Sequence, residues 1–210
     1  AENPRIDLVG VVDTNEKNAQ DVAAQHKTTA FTALHEVLDK VEAVHVVVPT
    51  DRHFAVTKIC LEAGKHVLLE KPITSTVAEA DELLDLAKRN DRVLQVGHVE
   101  RFNPAITALR PLMGKPLFIE SHRLHPFFER GTDVDVILDL MVHDLDIILH
   151  FVRSEVSAVD AVGISVLSDK VDIANARLTF ASGCVANITA SRVTGKTMQK
   201  IRFFGIEGYH

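Results

Sequence analysis

Tryptophan is absent from this 210-residue chain, tyrosine occurs once and cysteine twice. Cys60 and Cys184 stand singly in apolar contexts with no CxxC spacing, so two reduced, buried thiols are the simplest reading. No basic block occurs, and 23 Lys and Arg against 29 Asp and Glu leave a net charge of −6. A nucleic-acid surface is therefore not expected. No apolar run reaches the ~18 residues of a membrane span, and no secretory signal is read at the start. A cytoplasmic location with no membrane partner is the expectation. Internal repeats and low-complexity linkers are also missing. What remains is ordinary globular composition, 46% apolar and 25% charged, in a chain long enough for one large domain or two small ones.

Strand and helix patterns alternate through residues 1–101. Strands are read at Ile6–Asp13, Ala43–Val48, His66–Glu70 and Arg92–Val96. Helices are read at Glu16–His26, Ala33–Lys40, His53–Ala63 and Thr76–Asn90, with Gly64 as a C-cap. Near-continuous apolar strands between amphipathic helices predict a parallel sheet covered on both faces. Residues 102–210 read differently. A helix starts at Pro104, a strand runs through Pro116–His125, and a long helix covers Asp133–Val152. Four strand-like runs follow at Val156–Leu167, Val171–Phe180, Cys184–Val193 and Gln199–Phe204, with polar turns that predict consecutive antiparallel pairing. The expected domains are 1–101 and 102–210, an α/β half and an α+β half. The first residues lie just before a strand and the last follow Gly205-Ile206-Glu207-Gly208, so both ends read as cut.

Chemistry concentrates in a few places. Asp13 ends the first strand, where an acidic residue can bind the adenine ribose of a dinucleotide; a helix cap or turn is the equal alternative. Val48-Pro49-Thr50-Asp51-Arg52-His53 leads from a buried strand into a helix, and capping by Thr50 or Asp51 is the simpler role. Glu70-Lys71-Pro72 sets a lysine at the carboxyl end of a strand, where open α/β sheets place ligands. Such a cation can polarise a hydroxyl and stabilise a developing alkoxide; a surface ion pair is the plain alternative.

On the helix over 133–152, at 100° per residue, Asp135, Asp139, His143, Asp146 and His150 fall within an arc of roughly 80°. Only Asp144 breaks the apolar side. The Asp139-to-His143 step is i to i+4, so a carboxylate can meet and orient an imidazole. A solvated helix face is the bland reading. His98 and Arg101 fall at the junction of the halves, and His122, Arg123, His125 and Arg130 add positive groups suited to an anionic ligand such as a nucleotide diphosphate. Surface charge is the default for each alone.

These pieces, in this order, resemble the glucose–fructose oxidoreductase and inositol dehydrogenase family, Gfo/Idh/MocA. The resemblance rests on Val11-Val12-Asp13, Val48-Pro49-Thr50 with His53, and Ala63-Gly64-Lys65-His66-Val67-Leu68-Leu69-Glu70-Lys71-Pro72. Val96-Gly97 with Arg101-Phe102 and Leu138–Asp146 complete it. More narrowly, Gly97-His98-Val99-Glu100-Arg101-Phe102-Asn103-Pro104 resembles members that oxidise the 3-hydroxyl of UDP-N-acetylglucosamine. The resemblance implies a Rossmann domain joined to an α+β domain with a mainly antiparallel open sheet that makes homodimers or homotetramers. It implies NAD as cofactor, held by Asp13, Pro49, Thr50, His53, Glu70 and Lys71. It implies catalysis by Lys71, Asp139 and His143, and a sugar or nucleotide sugar bound by Arg101, Asn103, Arg123, Asp139 and His143. A cis Lys71–Pro72 bond fits the same pattern.

One departure stands out. The Gly-rich turn that cradles a pyrophosphate does not precede Asp13, and in the 3-2-1-4-5-6 strand order the strand before it is central. The remaining strands are therefore expected to flank a gap. Two alternatives differ in class: a metal-dependent hydrolase or lyase using Asp139, His143 and Asp146, and a non-catalytic nucleotide-binding sensor on the same fold.

Overall fold

Local capping sets the helices of the amino-terminal half. Asn15 accepts from the backbone of Asn18 at 3.2 Å and opens α1 (Glu16–His26), which Lys27 ends in the left-handed conformation. Thr76 and Glu79 form a reciprocal capping box at the start of α4 (Val77–Arg89). Gly64, at φ +72°, ends α3 (Thr50–Glu62) with bonds from its own and the next N–H to Leu61 and Cys60 carbonyls. The expected helix at 33–40 shortens to the single turn α2 (His35–Leu38).

The computed structural model describes residues 3–128, 133–206 and 208–209. They divide into two compact units. The first comprises the described residues through Val48, Arg52–Leu69 and Thr76–Gln95; the second comprises Pro49–Asp51, Glu70–Ser75 and the described residues from Val96 onward. The short segments after β3 and β4 thus join the second unit.

In the first unit β1 (Gly10–Val12) pairs in parallel with β2 (Thr29–Phe31). A separate three-stranded sheet contains β3 (Ala43–Val46), β4 (His66–Leu69) and β5 (Leu94–Val96), with β3 and β4 parallel. No ladder joins the two sheets among the described residues, which is the gap expected from the strand order. The strand expected over Ile6–Asp13 contracts to Gly10–Val12, because its partner offers only three residues. That partner, β2, is too short for a local pattern to announce.

The second unit is a six-stranded sheet with one helix across its inner face. A 3-10 turn (Val99–Phe102) leads to α5 (Pro104–Leu109), where Asn103 caps Ala105 at 3.0 Å. The strands are β6 (Pro116–Leu124), β7 (Val156–Ile164), β8 (Ile173–Phe180), β9 (Val185–Ser191), β10 (Met198–Gly205) and β11 (Gly208–Tyr209), in the order β11-β10-β6-β9-β8-β7. Of the four runs expected to pair consecutively, β7, β8 and β9 do so. The expected β9–β10 pair is replaced by β6, which lies parallel to β9 and antiparallel to β10. A parallel neighbour needs a crossover, and the chain supplies it through α6 (Val142–Val152), β7 and β8.

The expected single helix over 133–152 is two segments, a π-helical turn at Ile137–Met141 followed by α6. Their apolar side (Met141, Ile147, Ile148, Val152) packs on alternate residues of the sheet, including Ile119, Leu178, Ile188 and Phe203. Burial of each such side chain contributes roughly 1.5–3 kcal/mol, so this contact fixes the helix on the sheet.

Candidate active site

Lys71 lies just beyond β4, after which the chain turns through a cis Lys71–Pro72 bond. Its Nζ donates to the carbonyl oxygen of Asp139 at 2.7 Å and to Asp139 Oδ1 at 3.1 Å. The π-helical turn carries Asp139, whose carbonyl and carboxylate oxygens meet one ammonium. Asp135 supports the turn from below, its Oδ1 accepting from the N–H groups of Ile137 and Leu138, each at 3.1 Å.

His143 follows on the first turn of α6. The expected Asp139–His143 hydrogen bond is not found among the described residues; His143 Nδ1 is buried without a partner. The physical reason is competition, since a cationic ammonium outbids a neutral imidazole for a carboxylate. Burial first, then the charges of Lys71, Arg123 and His98, push the His143 pKa down to about 3 against the opposing pull of Asp146. The imidazole is therefore neutral at ordinary pH, an acceptor rather than a donor of charge.

The carboxylates flanking His143 are each tied to an arginine. Arg101, on the 3-10 turn, makes a bidentate pair with Asp146. Arg123, on β6, donates from Nε and Nη2 to Asp144 Oδ1 at 3.1 and 2.8 Å, with Glu100 at 3.5 Å from Nη2. Arg123 and Asp144 are both deeply buried. Asp144, which breaks the apolar side of the helix in the sequence pattern, is thus the buried partner of a strand residue. Asn103 spends its side-chain oxygen on its helix cap.

The other candidates are dispersed. Asp13, at the carboxyl end of β1, accepts from Asn15 N at 2.8 Å in a short turn. His53 is buried within α3 with Nε2 2.9 Å from the Val48 carbonyl oxygen, and Thr50 opens the same helix after Pro49. The Glu70 carboxylate lies close to Gly97, 3.2 Å from where a Cβ there would stand. His98 Nδ1 is buried and unpartnered. His122 points to an open groove on the outer sheet face with Glu120, while His125 turns toward Pro126 and packs edge-on to Phe128. His150, partly shielded and near Arg101, is shifted downward. Arg130 lies outside the described residues. No group of three or more His, Cys, Asp and Glu is gathered for a metal among the described residues. Asp139 and Asp146, two of the ligands in the metal alternative, each pair with a cation instead.

Parallel strands thus lie in one unit, and a lysine–aspartate pair with a neutral histidine lies in the other. Residues 1–98 match the oxidoreductase family with an NAD-binding Rossmann fold, and residues 112–209 match the GFO/IDH/MocA C-terminal domain. The chain belongs to the Gfo/Idh/MocA family. It is 43% identical over 203 residues to a UDP-N-acetylglucosamine 3-dehydrogenase of Acidithiobacillus ferrooxidans, covering 96% of this chain and 65% of that protein. A solved structure of that enzyme superposes with a TM-score of 0.89 at 43% identity over 95% of this chain and 66% of the other. A myo-inositol 2-dehydrogenase of Thermotoga maritima is 30% identical over 199 residues, covering 85% of this chain and 59% of that protein. In fold alone, the chain also resembles GenD2 from gentamicin A biosynthesis in complex with NAD. There the TM-score is 0.91 at 23% identity, covering 99% of this chain and 65% of that one. The chain spans 59–66% of the length of these relatives.

Proposed function

We propose that this chain belongs to an NAD-dependent oxidoreductase that transfers hydride between a sugar hydroxyl carbon and nicotinamide. We assign the sugar to the UDP-N-acetylglucosamine type. The observation that carries the reading is a neutral, partly buried His143 within electrostatic reach of a Lys71 ammonium pinned by Asp139. Oxidising an alcohol removes a proton from oxygen and a hydride from the adjoining carbon. Neutral His143 accepts the proton. Lys71 has three N–H donors, of which two meet Asp139, and the third is available to the substrate oxygen as it gains charge. That developing negative charge offsets Lys71, a leading cause of the low proton affinity of His143, so the base strengthens as the reaction proceeds. In the reverse direction His143 returns the proton.

NAD, when bound, supplies the two-electron acceptor. The residues present fit it. Asp13, partly exposed at the carboxyl end of β1, offers the carboxylate that accepts from ribose hydroxyls, and its charge disfavours the extra phosphate of NADP. The 43% identity to a UDP-N-acetylglucosamine 3-dehydrogenase supports the substrate type. We assign a cytoplasmic location and a homodimer or homotetramer through the open sheet, whose β7 is exposed at every residue.

The test is nicotinamide reduction by the full-length protein with NAD and a panel of UDP-sugars. Reduction with one sugar, and a product lighter by the hydrogens removed, is expected. NAD binding without any reduction would remove the substrate assignment. Absence of NAD binding would overturn the reading and favour a sensor or metal-dependent reaction.

A further inference from the structure

We propose that Arg123 is a positioning residue for His143: by gripping Asp144 and Glu100 it sets the rotation of α6 and holds a fixed positive charge beside the imidazole. The inference rests on the dehydrogenase reading for its kinetic part only.

Asp144 is the residue directly after His143, so whatever fixes one fixes the other about the helix axis. At 100° per residue a modest roll of α6 moves both. The Asp144 carboxylate receives two N–H bonds from Arg123, both on Oδ1, at 2.8 and 3.1 Å. Its second oxygen is buried with no partner among the described residues. Asp144 therefore depends on Arg123, and a buried carboxylate stripped of its paired cation is strongly destabilised. The same guanidinium reaches Glu100 on the 3-10 turn at 3.5 Å, tying β6, α6 and that turn at one point. A second arginine tie, Arg101 to Asp146, joins the turn to α6 two residues further on. Two ties of this kind leave α6 little freedom to roll.

The charged and titratable groups facing His143 come from each surrounding element. Lys71 follows β4, His98 precedes the 3-10 turn, Arg123 stands on β6, and Asp146 shares α6. Burial leads the lowering of the His143 proton affinity, and Lys71 and Arg123 are its foremost charged contributors.

The opposed signs of Arg123 and Asp144 make the proposal testable. In Arg123→Met the positive charge is lost and a carboxylate is left exposed to the imidazole, so His143 should bind its proton at higher pH. In Asp144→Asn the arginine charge is left unbalanced, so His143 should not shift upward. Histidine side-chain NMR titration of the full-length protein reads this without substrate or cofactor. The expected result is a His143 that binds its proton at higher pH in Arg123→Met than in the parent, and no higher in Asp144→Asn than in the parent. In turnover, Arg123→Lys keeps the charge but loses the fork. Its kcat is expected to fall about tenfold to a hundredfold with KM nearly unchanged, the scale of a displaced reacting group. Should Arg123→Met not fold, Arg123→Lys and Asp144→Asn carry the test. Identical His143 titration in folded Arg123→Met, or an unchanged His143 environment with unchanged kcat in Arg123→Lys, would overturn the proposal. An unshifted titration with an active parent overturns only this inference, whereas a shifted titration in an enzyme that reduces no NAD overturns only the dehydrogenase reading.

Discussion

At the scale of single residues, the proposed chemistry depends on an unequal sharing of charge. Asp139 gives both its carbonyl and its carboxylate to Lys71, while His143 is left neutral because burial and surrounding cations disfavour its charged form. In the proposed reaction the lysine meets a developing alkoxide and the histidine receives a proton. Replacing either by alanine removes one of these roles, and general acid–base groups contribute about 10²- to 10⁴-fold. Lys71→Ala and His143→Ala should therefore each lose about a hundredfold or more in kcat with an unchanged circular-dichroism spectrum. Parent-like rates in either variant would refute the assignment.

Much of this grouping is legible in the sequence, where Lys71, Asp139 and His143 stand out for their positions after a strand and on an apolar helix. The pairing among them is not. Spacing along one helix brings Asp139 to His143, but only the fold can show that a lysine 68 positions away along the chain is the better partner. Asp144 gave a signal, as the one charge on the apolar side, without indicating that Arg123 on β6 answers it.

At the scale of elements, the turn carrying Asp139 is anchored from behind by a second buried ion pair. Asp172, fully buried, accepts from the N–H groups of Val166, Leu167 and Ser168 at 2.7–2.9 Å and from the Ser168 hydroxyl at 2.7 Å. Arg192 donates to Asp172 at 2.8 Å and to the Val134 carbonyl at 2.9 Å, next to Val136, whose N–H bonds Val171. The loop between β7 and β8, the end of β9 and the approach to the π-helical turn are thereby clasped together. Burial works against the Asp172 charge, but Ser168, Val166 and Arg192 outweigh it and hold the carboxyl well below its usual range.

Removing one partner of such a pair costs about 3–5 kcal/mol, so Asp172→Ala should lower stability by that order in urea titration. A loss under about 1 kcal/mol, the worth of an exposed pair, would contradict the clasp. The pH dependence follows in sign. The native carboxyl binds its proton less readily than the unfolded one, so its contribution is full above about pH 4. It is lost as pH falls further, and the gap between parent and Asp172→Ala should narrow there.

Neither the clasp nor the π-helical turn is readable from local pattern. Val136-Ile137-Leu138 and Leu140-Met141-Val142 are as compatible with an ordinary helix. The helices with their own caps, α1 and α4, were by contrast readable nearly to the residue.

At the scale of the whole molecule, the two units obey different rules. The first follows local alternation, and its described strands form two separate sheets. The second hides its topology from the sequence, because β6 pairs with β9 and β10, strands more than 60 residues further along the chain. Long-range pairing of that kind leaves no mark on a strand except its alternation, which β6 shares with every neighbour.

The central claim is that hydride leaves the sugar carbon directly for nicotinamide. Its most direct test uses the full-length protein with NAD and UDP-N-acetylglucosamine carrying deuterium at carbon 3. The account predicts reduced nicotinamide bearing that deuterium, with a keto sugar that has lost it. Deuterium released to water, or a sugar altered with no reduced nicotinamide formed, would contradict it.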